Sequence, residues 1–82
     1  DAAVRHAAIK GLGVAGGEEA FNNLTALLRD PNPETRKAAA GALELLKDPK
    51  SVAFIDARLR VETDEGVKAA LRKAQSAVNT GN

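Results

Sequence analysis

The sequence predicts an all-α fold: a right-handed α-solenoid of antiparallel helix pairs, about five helices in all. Composition is the first reason. Among 82 residues 17 are Ala and only two, Phe21 and Phe54, are aromatic. The Ala, Leu, Lys, Arg and Glu that dominate are strong helix formers. The second reason is a repeat. Val4-Arg5-His6-Ala7-Ala8, Thr35-Arg36-Lys37-Ala38-Ala39 and Val67-Lys68-Ala69-Ala70-Leu71 superimpose on their basic residues, which lie 31 and then 32 positions apart. The third is another repeat between them: Phe21, Leu24 and Leu28 lie 31 positions before Val52, Ile55 and Leu59. Helix pairs recurring at this spacing stack into a solenoid, because each buries its apolar face on the next. A closed four-helix bundle competes, but a bundle has no need for alternate helices to be copies.

Each element follows from periodicity and punctuation. The first helix, residues 1–13, carries Val4, Ala7, Ala8, Gly11 and Leu12 at i, i+3, i+4, i+7 and i+8, the expected buried stripe. Gly13, Gly16 and Gly17 end it and open the next. Phe21, Leu24, Leu27 and Leu28 form the stripe of the second helix. Asn32-Pro33 sets a capping side chain before a proline at the first helical position. The third helix follows, striped by Thr35, Ala38, Ala39, Ala42, Leu43 and Leu46. Asp48-Pro49 opens the fourth in the same way, with Val52, Ile55 and Leu59 inward. Thr63 or Asp64 caps the fifth, with Gly66 in its first turn and Val67, Ala70, Leu71, Ala74 and Val78 on its stripe. Asn79 to Asn82 reads as a frayed end. The expected domain is single, residues 1–82: an orphan second helix (1–13), then repeats at 17–47 and 48–79. Leu24, Leu43 and Ile55 are the expected heart of the core.

The segment from Asp30 through Leu43, Asp-Pro-Asn-Pro-Glu-Thr-Arg-Lys-Ala-Ala-Ala-Gly-Ala-Leu, resembles the short HEAT-like repeat also found in phycobilin lyases. Val4-Arg5 through Leu12-Gly13 matches the later part of that repeat. Asp64 through Leu71 matches with Lys68 in place of Arg and without the Leu-Gly ending. The resemblance implies that the Val-Arg helices line the concave side. It also implies that the first helix lacks a partner for one side of its stripe, to be covered by preceding residues of a longer protein or by self-association. The segment from Ala57 through Leu71 is more weakly similar to the helical region ahead of the membrane part in permease subunits of urea-type ABC importers, which would imply a periplasmic location. The compartment itself stays open, cytoplasmic or periplasmic.

Little in the sequence points to chemistry. The absence of Cys removes disulfides, thiolate zinc sites and thiol nucleophiles. His6 is the only histidine; it falls off the predicted stripe, in no His-x-x-x-His or Glu-x-x-His spacing, and reads as a solvated surface residue. The pairs Glu18-Glu19 and Asp64-Glu65 begin helices, where negative charge meets exposed N–H groups and the macrodipole. Gly11-x-Gly13 with Gly16-Gly17 follows a helix, not a strand, so it lacks the context of a dinucleotide loop. No catalytic residue, cofactor or metal site is expected. A bilin-lyase-like enzyme subunit is kept as an alternative through the resemblance alone.

Charge supplies the candidate surface. The chain carries 12 Lys and Arg against 11 Asp and Glu, a net +1. This argues against a dedicated nucleic-acid binder, as does the lack of aromatic residues on the Val-Arg helices to stack on bases. The longest apolar run is far too short for membrane insertion. Yet the basic residues gather on the Val-Arg helices. Arg5, Arg36 and Lys68 form a ladder, read as structural: the resemblance to the HEAT-like repeat implies that each pairs with an Asp in the turn, Asp30 or Asp64 being the candidates. Lys10, Lys37, Arg72 and Lys73 are the candidate contacts for a protein partner. The expected role is a non-catalytic interaction or scaffold module, with the extracytoplasmic domain of a transporter permease as the first alternative.

Overall fold

Five helices form, joined by loops of two to five residues: α1 (Ala2–Ala15), α2 (Glu18–Leu27), α3 (Pro33–Leu46), α4 (Ser51–Val61) and α5 (Glu65–Asn79). The computed structural model describes residues 1–79, so most of the frayed end expected at 79–82 lies outside the described residues. Helix starts are set by side chains that satisfy orphan N–H groups. The Ala3 N–H donates to Asp1 Oδ1 (2.9 Å), the Glu34 N–H to Asn32 Oδ1 (2.9 Å) and the Val67 N–H to Asp64 Oδ1 (3.0 Å). The last contact makes Asp64, not Thr63, the cap of α5.

Two boundaries depart from expectation. The helix α4 begins at Ser51, not at Pro49, because Asp48 caps a preceding turn: its carboxylate accepts the Lys50 N–H at 2.9 Å and its carbonyl accepts the Ser51 N–H at 2.9 Å. The helix α1 runs through Gly13 to Ala15. Its stop is Gly16 (φ 74°), and Gly17 (φ 94°) opens α2; both sit in the left-handed region that favours glycine. Gly13 does a different job. A Cβ there would lie 2.9 Å from Ala42 Cα and closer still to the Ala42 carbonyl oxygen, so the bare Cα lets α1 lie directly on α3.

The helices form two layers. α1, α3 and α5 lie side by side with α3 in the middle, while α2 and α4 pack across them. This is a stack of helix pairs, not bundle closure, and it is flat: the principal extents are 36 × 28 × 16 Å. Between the layers Leu24, Leu43, Ile55, Val67 and Leu71 are wholly excluded from solvent, with Ala39, Ala40 and Ala74 filling the close approaches. Leu28 and Phe21 complete the α2 contribution.

The stripe expected on α1 is not its buried face. Ile9 and Gly13 are buried and Leu12 is half-buried, but Val4, Ala7, Ala8 and Gly11 are exposed, Val4 at 67%. The reason is rotation. α1 seats Ile9 and Gly13 against its neighbours, Gly13 directly on Ala42, and this turns the small-residue stripe away from α2 and α3. In α3, flanked on two sides, the equivalent Ala39, Ala42 and Leu43 are all buried.

Candidate functional site

The close seating of Gly13 on Ala42 leaves a shallow groove where α1 and α3 run side by side, about 450 Å³ in volume. Its floor is Ala38, Gly41 and Ala42, residues too small to fill it; a Cβ on Gly41 would meet nothing within 4 Å. Lys10 and Lys37 line it from opposite helices, Glu34 lies toward the start of α3, and Leu45, 45% exposed, toward its end. His6 also lines it and is half-buried. This corrects the expectation of a solvated histidine: the contact face of α1 is rotated toward His6, Ile9 and Gly13. Among the described residues neither Lys10 nor Lys37 has an ion-pair partner; the Lys37 ammonium reaches toward the start of α5, where a Cβ on Gly66 would lie 4.0 Å from it.

Of the four candidate contact residues the groove collects two. Arg72 and Lys73 are exposed on α5, beyond α3, and line no part of it. The ladder residues differ from one another. Arg36 is buried and grips Glu62 with both ends of its fork, Nε to Oε1 and Nη2 to Oε2, each at 2.9 Å. Its Nη1 donates to the carbonyls of Asp30 (2.9 Å) and Pro31 (3.1 Å). Asp30 therefore offers its carbonyl, while its carboxylate accepts the Asn32 N–H at 2.9 Å. Lys68 pairs with Glu65 at 3.2 Å on the same helix, and Arg5 is exposed without an ion pair among the described residues. The expected pairing of each rung with a turn Asp is thus replaced by one buried Arg36–Glu62 pair. The cause is register: Glu62 lies 26 positions after Arg36, and the position 26 after Arg5 is Pro31, which carries no carboxylate.

Glu62 is the residue sequence reasoning missed. It ends α4, yet it is buried and accepts five hydrogen bonds: two from Arg36, one from Arg58 Nε (3.0 Å), and one each from the Thr63 and Asp64 N–H groups. The Arg36 guanidinium holds its carboxyl down at about 2 against an ordinary 4.5, with the Asp64 N–H and Arg58 adding to the effect and burial opposing it. Arg36 is raised by the same contact. No repeat signal marks Glu62; its only trace in the sequence is the Arg58-x-x-x-Glu62 spacing.

Glu18 and Glu19 lie in the first turn of α2, whose cap position, Gly17, has no side chain, and Asp64 caps α5. These acids serve helix starts. Among the described residues no three His, Cys, Asp or Glu groups come together as a metal site, and no helix is long and apolar enough to cross a membrane.

The two-layer stack and its period meet an independent comparison: residues 1–75 match the sequence profile of HEAT repeats. The chain belongs to the HEAT-repeat family. Searches of curated proteins and of solved structures found no match. HEAT repeats commonly mediate protein–protein interaction or scaffolding, and the family is generally non-catalytic.

Proposed function

We propose that this HEAT-repeat chain is a non-catalytic scaffold module that receives an acidic segment of a partner protein in the groove between α1 and α3. The observation that carries this reading is a groove with an alanine–glycine floor whose lining holds two lysines, Lys10 and Lys37, neither in an ion pair among the described residues, against one acid, Glu34, with exposed Leu45 at one end. The groove is shallow enough for an extended strand or helix edge, and Leu45 offers an apolar anchor. An exposed charge contact is worth only ~0.2–1 kcal/mol. The lysines therefore supply orientation and approach rate, and affinity depends on salt. The non-catalytic reading is supported by the family, which is generally non-catalytic.

The test is a titration of the ¹⁵N-labelled chain with an acidic peptide of alternating Glu and Leu. Amide shifts are expected at His6, Lys37, Gly41 and Leu45, weakening with added salt. Lys10→Glu with Lys37→Glu is expected to reduce affinity at least tenfold at an unchanged melting temperature. Arg72→Glu with Lys73→Glu, run in parallel, reads whether the basic surface extends past α3. Shifts that avoid the α1–α3 groove, or indifference to the Lys10/Lys37 reversal, would sink the proposal.

A further inference from the structure

The other layer holds a second groove, on the face of the molecule opposite the first. α2 and α4 diverge there and leave a cleft of about 310 Å³ between matching faces. The wall from α4 is Phe54, Ala57, Arg58 and Val61, and the facing wall is Asn22, Thr25 and Ala26 of α2 with Arg29 in the turn just after it. The α4 set has the i, i+3, i+4, i+7 spacing of a single helix face.

Two features make this cleft more than a seam. Phe54 and Val61 are 47% and 63% exposed, an unusual place for large apolar side chains on a chain with only two aromatics. Phe54 is held in place: its ring meets the buried Phe21 edge-on at 5.5 Å between centroids, and Lys50 Nζ sits 4.8 Å from the Phe21 ring. The aromatic surface is thus pre-set. The second feature is charge. Arg29 and Arg58 both stand toward the C-terminal ends of the two helices, and no acidic residue lines the cleft. Arg58 uses Nε on Glu62, but its terminal nitrogens have no hydrogen-bond partner among the described residues, and Arg29 has no ion pair there.

We infer that this cleft is a second docking site, for a protein segment that presents a bulky apolar side chain to Phe54 and Val61 and a carboxylate to Arg29 and Arg58. The spacing defines the ligand. Phe54 and Arg58 are four residues apart, about 6 Å along the helix axis. That distance is matched by an amphipathic helix carrying Leu and Glu one turn apart. Charge complementarity selects this occupant: a second copy would bring the same two arginines together, and a basic segment would be repelled. Because the two grooves lie on opposite layers, one chain can hold two partners at once, which is what distinguishes a bridge from a simple binder. The site stands whether or not the α1–α3 groove binds anything.

The experiment uses fluorescein-labelled twelve-residue helical peptides in an Ala/Gln host, one carrying Leu and Glu at i and i+4, one with Gln for Glu, one with Lys for Glu. Fluorescence anisotropy is expected to rank Glu over Gln by at least fivefold and to show no binding for Lys. Arg29→Gln should lower affinity for the Glu peptide at least fivefold and leave the Gln peptide unchanged. Ala57→Glu, at an exposed position on the cleft wall, should block binding at an unchanged melting temperature, so loss of fold does not confuse the result. All measurements are made in the Lys10→Glu/Lys37→Glu background, so that binding in the α1–α3 groove does not contribute. Equal binding of the Glu and Gln peptides, insensitivity to Arg29→Gln, no binding of the Glu peptide at millimolar concentration, or binding only by a dimer in sedimentation would each overturn the proposal.

Discussion

Removing the Glu62 carboxylate should be among the most damaging single changes in the chain. Five donors converge on it, but they do not suffer equally when it goes. Thr63 is exposed and Asp64 and Arg58 are half-buried, so their N–H groups recover hydrogen bonds to water. Arg36 is 9% exposed and keeps only the carbonyls of Asp30 and Pro31. Glu62→Ala therefore leaves a buried guanidinium without its counter-charge, a change that typically costs about 3–5 kcal/mol. On a domain with about 5–15 kcal/mol in total, that is a large fraction. For a chain of this size each kcal/mol lowers Tm by roughly 4–8 °C, so the fall should be plain in a calorimetric scan. The double variant Arg36→Met/Glu62→Met supplies the control. Removing both charges together leaves no unpaired ion, so it should be more stable than Glu62→Ala by ~2 kcal/mol or more. A loss under ~1 kcal/mol for Glu62→Ala, or a double variant as unstable as the two single losses added together, would refute the account.

Acid should reveal the same pair. Because Glu62 titrates at about 2 when folded against an ordinary 4.5, its contribution is complete above 4.5 and disappears as pH falls toward 2. Urea midpoints measured across that window should fall more steeply for the natural chain than for Glu62→Gln. Two glycines of α1 should respond in opposite directions. Gly13→Ala drives a methyl into the Ala42 backbone and should cost ~1–3 kcal/mol. Gly11→Ala meets nothing within 4 Å and should gain ~0.5–1 kcal/mol from helix propensity; circular-dichroism melts of the two variants decide it. Leu43→Ala, at a site wholly excluded from solvent, should lose ~2–5 kcal/mol in chemical denaturation.

On α2 to α5 hydrophobic spacing identified the inward residues. Leu24, Leu43, Ile55, Val67 and Leu71 lie on the predicted stripes and are all buried. The same rule misassigned α1, because spacing reports which residues form an apolar stripe and not whether a neighbour is there to cover it. Capping chemistry located Asn32 and narrowed the α5 cap to Thr63 or Asp64, since a side-chain oxygen and an orphan N–H interact within one turn. At Asp48 the same local signal marked a turn that comes before the helix. The Arg36–Glu62 pair spans 26 positions, and nothing local encodes it. The α1–α3 groove was half legible: Lys10 and Lys37 stood out as basic residues on alternate helices. That they share a groove with His6, and that Arg72 and Lys73 do not, depends on helix rotation set by Ile9 and Gly13.

The edges of the α1–α3–α5 layer are chemically unlike. The outer side of α1 shows Val4, Ala7, Ala8, Gly11 and Val14, all uncharged, whereas the outer side of α5 shows Arg72, Lys73 and Ser76. Front-to-back addition of copies would press two cations against hydrocarbon, and that desolvation penalty opposes open-ended fibre growth. The layer thus has a polarity, with one edge that accepts close packing and another that terminates it.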